Sequence, residues 1–322
     1  MVDLKRTDYV PAGEDLSERF HDRLEALVGN IRRVVVANHE VVRLAVLGLL
    51  SEGHVLLDDY PGVGKTLLAK ALAQSIQADF KRIQFTPDLM PSDITGSSIY
   101  NPASGDFQFV PGPVFANIVL ADEINRSSPR TQSALLEAMG EGQVTSDGVL
   151  HPLPRPFFVI STRNLVEAHG TYPLPQGQLD RFLLSFSIGY PGLDQQVEIL
   201  ERHEHGQTDV GPVLNVDDVL AMQDHVRSVE VARPVKEYIA RIVAETRASP
   251  EIAIGVSPRG GVLLQRAAQG WAAMEGRGFV TPDDVKAVAA PVLQHRISPR
   301  SSQPGAVEEC LASVLDTVPV PV

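Results

Sequence analysis

Apolar positions between Leu16 and Leu50 recur at helical spacing. In LSERFHDRLEALVGNIRRVV, Leu24, Leu27 and Ile31 share one face, and HEVVRLAVLGLLSEG predicts a second helix stopped at Gly53. Residues 1–16 lack this pattern and are expected to form a flexible tail. Beyond Gly53, short apolar runs alternate with helical ones. HVLLD (54–58), KRIQF (81–85), NIVLADE (117–123), FFVIST (157–162) and LLSFSI (183–188) predict five strands. LLAKALAQSIQ (67–77) and RTQSALLEAM (130–139) predict helices between them. That alternation implies an α/β fold with a mainly parallel five-stranded sheet.

Two stretches break the alternation. Residues 96–115 are punctuated by Gly and Pro and strand-like at both ends, and residues 142–156 carry the hairpin signal Asp147-Gly148. Both predict hairpins inserted into the core. After Pro191 the strand patterns stop, residues 203–215 read as a linker, and the remainder is expected to be helical. Ser257-Pro258 and Thr281-Pro282 each offer an N-cap followed by proline, with Asp284 completing a capping-box-like pattern.

Composition narrows the function class. A net charge of -12 over 322 residues disfavours a general nucleic-acid binder, which needs clustered Lys and Arg. One cysteine, Cys310, permits no intrachain disulfide and is expected to be a small buried apolar group. No apolar run reaches the roughly 18 residues of a membrane helix, so no stable membrane insertion is expected. The N-terminus lacks an apolar signal core, and a cytoplasmic protein is the expectation.

The chemistry concentrates in DDYPGVGKTLLAKALA, residues 58–73. A strand, a glycine-containing turn and a helix opening at Lys65-Thr66 can converge backbone N–H groups on phosphate. The expected nucleotide-binding residues are Asp59, Pro61, Gly62, Val63, Gly64, Lys65, Thr66 and Leu67, with Lys65 reaching the β- and γ-phosphates and Thr66 holding Mg²⁺. The strict phosphate-loop pattern has glycine where this chain has Asp59. A phosphate loop also requires carboxylates on a second strand. NIVLADE supplies them: Asp122 for the metal's shell and Glu123 to orient the attacking water. Asn164, ending FFVISTRN, can position that water. Arg181 and Arg259 are candidates for the cation at the γ-phosphate, with Arg126 and Arg130 as rivals.

These residues, in this order, resemble the MoxR family of AAA+ ATPases over roughly residues 20–300. The resemblance rests on GHVLLDDYPGVGKTLLAKALA, ADEINRSSPRTQSALLEAMGEGQVT, GTYPLPQGQLDRF and SPRGGVLLQRAAQGWAAMEGRGFVTPDDV. Such loops commonly carry an acid at the position of Asp59. The resemblance implies a P-loop core over residues 17–205, an all-helical lid over 206–322, ATP or ADP with Mg²⁺, and a ring, usually a hexamer. It gives Asn164 the sensor-one position, Arg181 that of an arginine finger acting on a neighbour, and Arg259 that of sensor two, which in this clade can also act across the interface. It also implies chaperone-like remodelling or maturation of client proteins, with a separate partner carrying a von Willebrand factor A domain. Two departures stand out. Ala37-Asn38 replaces the family's Gly-Gln, which bears on adenine contacts, and TRNL replaces TQNP, making Arg163 another rival for phosphate.

Other readings compete. A nucleic-acid motor is opposed by the net charge and by Asp147 at the tip of a hairpin with Arg155 as its one basic residue besides His151. A magnesium-chelatase-like motor subunit shares the insertions, but GTYPLPQGQLDRF favours the MoxR branch. A nucleotide-gated binding module with little turnover remains open. His203 and His205 are read as solvated loop residues, and no structural metal is expected.

Overall fold

A computed structural model of the chain describes residues 16–103, 105–164, 171–204 and 210–321. The chain opens with two helices, α1 (Leu16–Arg32) and α2 (His39–Leu50), the second capped by Asn38, whose side chain accepts from the Glu40 N–H. An α/β alternation follows: β1 (Val55–Asp58), α3 (Lys65–Ser75), β2 (Phe80–Gln84), a short α4 (Pro91–Thr95), the hairpin β3–β4 (Gly96–Asn101, Asp106–Pro111) and β5 (Ile118–Asp122). Next come α5 (Pro129–Glu141), the hairpin β6–β7 (Gln143–Ser146, Val149–Pro152), β8 (Phe158–Arg163), a short α6 (Gln176–Leu179) and β9 (Leu184–Phe186). Strands β2, β5, β8, β1 and β9 form one sheet in that order, every pairing parallel. Both predicted insertions are hairpins, and they touch each other where Phe109 stacks on His151.

Alternating side chains give the sheet two buried faces, as a parallel sheet requires. Val55, Leu57, Ile118, Leu120, Phe158 and Ile160 face one apolar cluster with α1, α2 and α3; Leu56, Val119, Ala121 and Val159 face the other with α5. After α7 (Leu193–Glu204), which buries no side chain, the C-terminal helices α8 (Val216–Ser228), α9 (Arg233–Ala248), α10 (Pro258–Met274), α11 (Pro282–Leu293) and α12 (Ala306–Thr317) join the first cluster. Helix α10 lies close against α2 because Gly270 is there. A Cβ at that position would stand 2.3 Å from Ser51 Oγ and 2.6 Å from Leu47 Cδ1. The buried Gln223 side chain of α8 donates to the Leu49 carbonyl, tying a second helix to α2.

Three expectations need correction. The C-terminal part is not purely helical: β10 (Ile252–Ile254) pairs antiparallel with β11 (Ser298–Pro299), strands too short to show a period. The segment 203–215 is not all linker, since α7 runs through Glu204; residues 205–209, including His205, and Leu165 lie outside the described residues. The last sheet strand stops at Phe186 rather than Ile188, for a reason that lies in the loop after β1. Cys310 is buried, as expected.

Candidate functional site

Strand β1 ends at Asp58, and the chain turns through residues 59–64 into α3. Gly62 and Gly64 have φ of 83° and 97°, a left-handed backbone that disfavours any side chain. A Cβ at either would meet nothing within 4 Å, so conformation selects glycine here and the inner side of the loop is open. No side chain caps the first turn of α3, which leaves its N–H groups available to an anion. Lys65 folds back over the loop and donates to the Tyr60 carbonyl at 3.2 Å; Thr66 is the second residue of the helix.

Asp59 occupies the loop but does not turn its carboxylate toward the phosphates. It is buried, and its two oxygens accept from Ser187 Oγ (2.7 Å), Ile188 N (2.6 Å) and Gly189 N (3.1 Å). Those N–H groups are therefore taken from the ladder, which is why β9 ends early. Asp59 fastens the segment after β9 to the loop between β1 and α3. Beside that junction the exposed rings of Tyr60 and Tyr190 stack at 4.8 Å.

Register brings the carboxylates to the same edge. Strand β8 lies between β1 and β5, with Asp58 opposite Arg163 and Ala121 opposite Ser161. The ends of β1 and β5 are thus two strand spacings apart, about 10 Å. The Thr162 hydroxyl donates to Asp122 Oδ1 at 2.7 Å and accepts from the Glu123 N–H at 2.8 Å. Glu123 adopts a left-handed backbone (φ 58°, ψ 50°), which costs a non-glycine residue roughly 1–2 kcal/mol. Thr162 holds that conformation, a role the sequence did not signal. The carboxylates also carry donors from the edge strand β2 and from the turn after β5. Arg82 reaches Asp122 Oδ2 at 2.7 Å, while Gln84 and Arg126 reach Glu123 Oε2 at 3.2 and 2.9 Å. Arg126, considered as a phosphate ligand, is thereby paired to the acid three residues before it.

Asn164 directly follows β8 and is buried; its carbonyl accepts from the Asn125 side chain. Arg163, a rival for phosphate in the sequence, is instead paired to a carboxylate. It grips Asp58 with two bonds of 2.6 Å, and Ser185 adds a third donor to that carboxylate. Arg181 donates to the Leu136 carbonyl at 2.5 Å and lies against Gly140, both on α5. Arg259, exposed, sits in the first turn of α10, and Arg130 is exposed in the first turn of α5.

A cleft of about 1200 Å³ opens beside the loop. Its walls are residues 32–39 between α1 and α2, the loop and α3 from Pro61 to Gln74, and residues 188–203 with Val210. One face of α7, including Gln195, Ile199 and Arg202, therefore borders the cleft. Arg202 also donates to the Arg33 carbonyl, closing the wall. His203 is exposed as expected, but in the last turn of this helix rather than in a loop. Neither Arg181 nor Arg259 lines the cleft. Of this lining the sequence singled out Ala37-Asn38, the loop residues Pro61 to Gly64 with Leu67, and His203, but not Gln195, Ile199 or Arg202 of α7.

Comparison with known proteins agrees with this architecture. Residues 54–184 match the model of the ATPase family associated with various cellular activities (AAA), and residues 244–312 match that of an AAA lid domain. The chain is 48% identical over 310 residues to YeaC of Bacillus subtilis, covering 95% of this chain and 97% of that protein. It is 40% identical over 298 residues to chaperone MoxR1 of Mycobacterium tuberculosis, covering 89% and 78%. A magnesium-chelatase subunit of Arabidopsis thaliana is 28% identical over only 56% of the chain. A crystal structure from Cytophaga hutchinsonii, provisionally described as an ATPase, superposes with a TM-score of 0.87 at 34% identity, covering 95% of this chain and 97% of that one. With 40% identity to chaperone MoxR1 over most of both chains and with matches to the AAA and AAA lid models, the chain belongs to the MoxR family of AAA+ ATPases.

Proposed function

We propose that this protein hydrolyses ATP to ADP and phosphate, with Mg²⁺, at sites shared between neighbouring copies in a ring, a hexamer by family resemblance. The observation that carries this reading is where the parts stand: the loop, both carboxylates and Asn164 lie at the same end of the sheet strands, while Arg181 is turned onto the Leu136 carbonyl and Gly140 of α5 and Arg259 is exposed on α10. In this reading Gly62, Gly64 and the first turn of α3 cradle the phosphates, and Lys65 draws charge from the terminal ones. Glu123 orients and polarises the attacking water, with Asn164 beside it. Arg181 and Arg259 stabilise the neighbour's transferring phosphoryl group.

The residues present fit the metal. The Thr66 hydroxyl and the Asp122 carboxylate are hard oxygen donors of the kind Mg²⁺ prefers, and Asp122 already attracts a cation, Arg82. Mg²⁺ held there would neutralise charge on the transferring phosphates. Thr66 and Asp122 would hold it, and Thr162 keeps Asp122 in place.

We place the core in residues 17–205 and the lid in 206–322, and assign ring-driven remodelling or maturation of client proteins, in the cytoplasm, with a von Willebrand factor A domain partner in trans. The family of the relatives supports these assignments. They favour the MoxR branch over magnesium chelatase, because identity to the chelatase subunit is lower and covers little more than half the chain. No nucleic-acid role is assigned. Among the described residues no helix is long and apolar enough to cross a membrane.

One observation favours a second reading, a nucleotide-gated binding module. Both carboxylates are engaged by arginines, Asp122 by Arg82 and Glu123 by Arg126, an arrangement suited to slow turnover. Two substitutions separate the readings. Lys65→Ala should lose nucleotide binding, and Glu123→Gln should bind ATP but not hydrolyse it. Turnover that survives Glu123→Gln would remove the hydrolytic assignment.

A further inference from the structure

Arg296, in the 3-10 turn Gln294–Arg296 after α11, is a buried arginine to which the site described above gives no role. Its guanidinium reaches back to the chain on both sides of Arg181. Nε donates to Asp180 Oδ1 at 2.9 Å, and Nη2 donates to the Asp180 carbonyl at 3.4 Å and to the Phe182 carbonyl. Nη1 donates to the Leu183 carbonyl at 3.3 Å and to the Val292 carbonyl of α11, and stands 2.6 Å from His295 Nε2. One planar fork thus fixes the backbone immediately before and after Arg181.

The same carboxylate reaches the second arginine. Ser257 Oγ donates to Asp180 Oδ2 at 2.8 Å and accepts from the Gly260 N–H at 3.2 Å as the N-cap of α10. Arg259 lies between them in sequence. Gly260 lets the pieces meet: a Cβ there would stand 2.4 Å from Val256 Cγ1 and 3.0 Å from Arg296 Cδ. Gln176 adds a bond from α6 to the His295 carbonyl. Arg181 itself is steadied from the other side by the Leu136 carbonyl.

A buried ion pair is weak evidence of stabilisation, because the desolvation penalty offsets the attraction and apolar side chains can fill the same space. What an apolar side chain cannot do is donate at once to one carboxylate and several carbonyls in a fixed plane. Burial lowers the Arg296 pKa to about 10, with Asp180 opposing the shift, so the group remains a cation at neutral pH.

We propose that Arg296 and Asp180 form a positioning pair that locks Arg181 and Arg259 into one unit, so that the lid and the finger loop present both arginines to the neighbouring copy together. This rests on the shared-site reading of hydrolysis. Neither residue touches the chain's own cleft, so nucleotide binding there does not depend on them.

The test is complementation between full-length chains, each purified and then mixed in equal amounts. Lys65→Ala removes the binding loop of a chain and leaves its arginines intact. Arg296→Lys keeps the charge, loses the fork and leaves that chain's own cleft intact. Alone, Arg296→Lys should bind ATP within about twofold of the parent while kcat falls by roughly tenfold or more, since a finger arginine is worth 10³–10⁵. Mixed with Lys65→Ala, it should recover activity, because a sound cleft then faces sound arginines. The benchmark is Arg181→Ala mixed with Lys65→Ala. If the benchmark recovers and the Arg296→Lys mixture does not, Arg296 serves only the fold of its own chain and the proposal is overturned. If Arg296→Lys alone keeps full kcat, it is also overturned. If the benchmark itself shows only dilution, the shared-site reading fails and takes this inference with it. Should Arg296→Lys not fold, judged by its melting curve, Asp180→Asn enters the same mixtures under the same criteria.

Discussion

Replacing Asp59 by glycine would give this chain the strict phosphate-loop pattern, and the structure predicts that it would be harmed. The Asp59 carboxylate accepts three hydrogen bonds, from Ser187 Oγ, Ile188 N and Gly189 N, in a buried setting. Hydrogen bonds to a carboxylate are each worth roughly 1.5–3 kcal/mol, and three on one group do not add fully. A total loss of about 3 kcal/mol is a fair working figure, which in a domain of this size lowers the melting temperature by about 6 °C. Glycine adds backbone freedom in the unfolded chain and does nothing to offset the loss. The effect on nucleotide follows from geometry. Ile188, Gly189 and Tyr190 form part of the cleft wall, and once released they must be ordered by the ligand. If that ordering takes about 1.4 kcal/mol, affinity weakens roughly tenfold. Asp59→Asn should fall between the two, since its amide keeps one acceptor but turns an N–H toward the Ile188 N–H. Thermal melts and titration with a fluorescent ATP analogue measure both effects. A glycine variant as stable as the parent, binding ATP equally well or better, would refute the fastening role of Asp59.

Three further perturbations test neighbouring parts of the site. Thr162→Val removes the bridge between Asp122 and the Glu123 N–H, so kcat should fall at least tenfold (about 1.4 kcal/mol) with ATP affinity little changed; an unchanged kcat would mean that Glu123 holds its left-handed backbone unaided. Arg82→Ala removes a half-exposed cation from Asp122, and the Mg²⁺ concentration giving half-maximal ATPase should drop by about fivefold, equivalent to ~1 kcal/mol. A raised requirement would show that Arg82 supports the metal site rather than competing with it. His54 is buried, its ring accepting from the Val159 N–H and facing the Met139 carbonyl, and burial lowers its pKa to about 4. The neutral ring is thus favoured in the folded state, so its contribution is fully present above pH 6.5 and is lost as pH falls through 4. The parent should lose about 3 kcal/mol over that interval more than His54→Gln does, measured by urea unfolding at several pH values. Parallel pH profiles would remove His54 as the cause.

Much of the core was legible because it is periodic or local. Five apolar runs became the five sheet strands, and Asp147-Gly148 turned the hairpin it was expected to turn. Lys65, Thr66, Asp122 and Glu123 could be picked out because each stands directly after a run of recognisable type. What was not legible depends on pairing across distance. The bonds of Asp59 lie 128 to 130 residues away, so its carboxylate was expected among the phosphate contacts when it faces the end of β9. Arg163 counts as a rival for phosphate in the sequence because its partner, Asp58, becomes its neighbour only through the β1–β8 register. Thr162 carries no pattern at all; its role comes from standing beside the end of β5. The wall formed by α7 needed the helix's direction as well as its amphipathic spacing, and β10 and β11 were too short to register as strands.

The central claim is that hydrolysis needs a neighbour, and it is tested most directly by the ATPase rate per subunit against protein concentration, with and without Mg²⁺, alongside sizing in ATP. The account predicts a Mg²⁺-dependent rate that rises steeply as the protein passes from monomer to ring and then levels off. A rate per subunit that stays constant while sizing shows only monomer would contradict it, and would place the whole catalytic apparatus within a single chain.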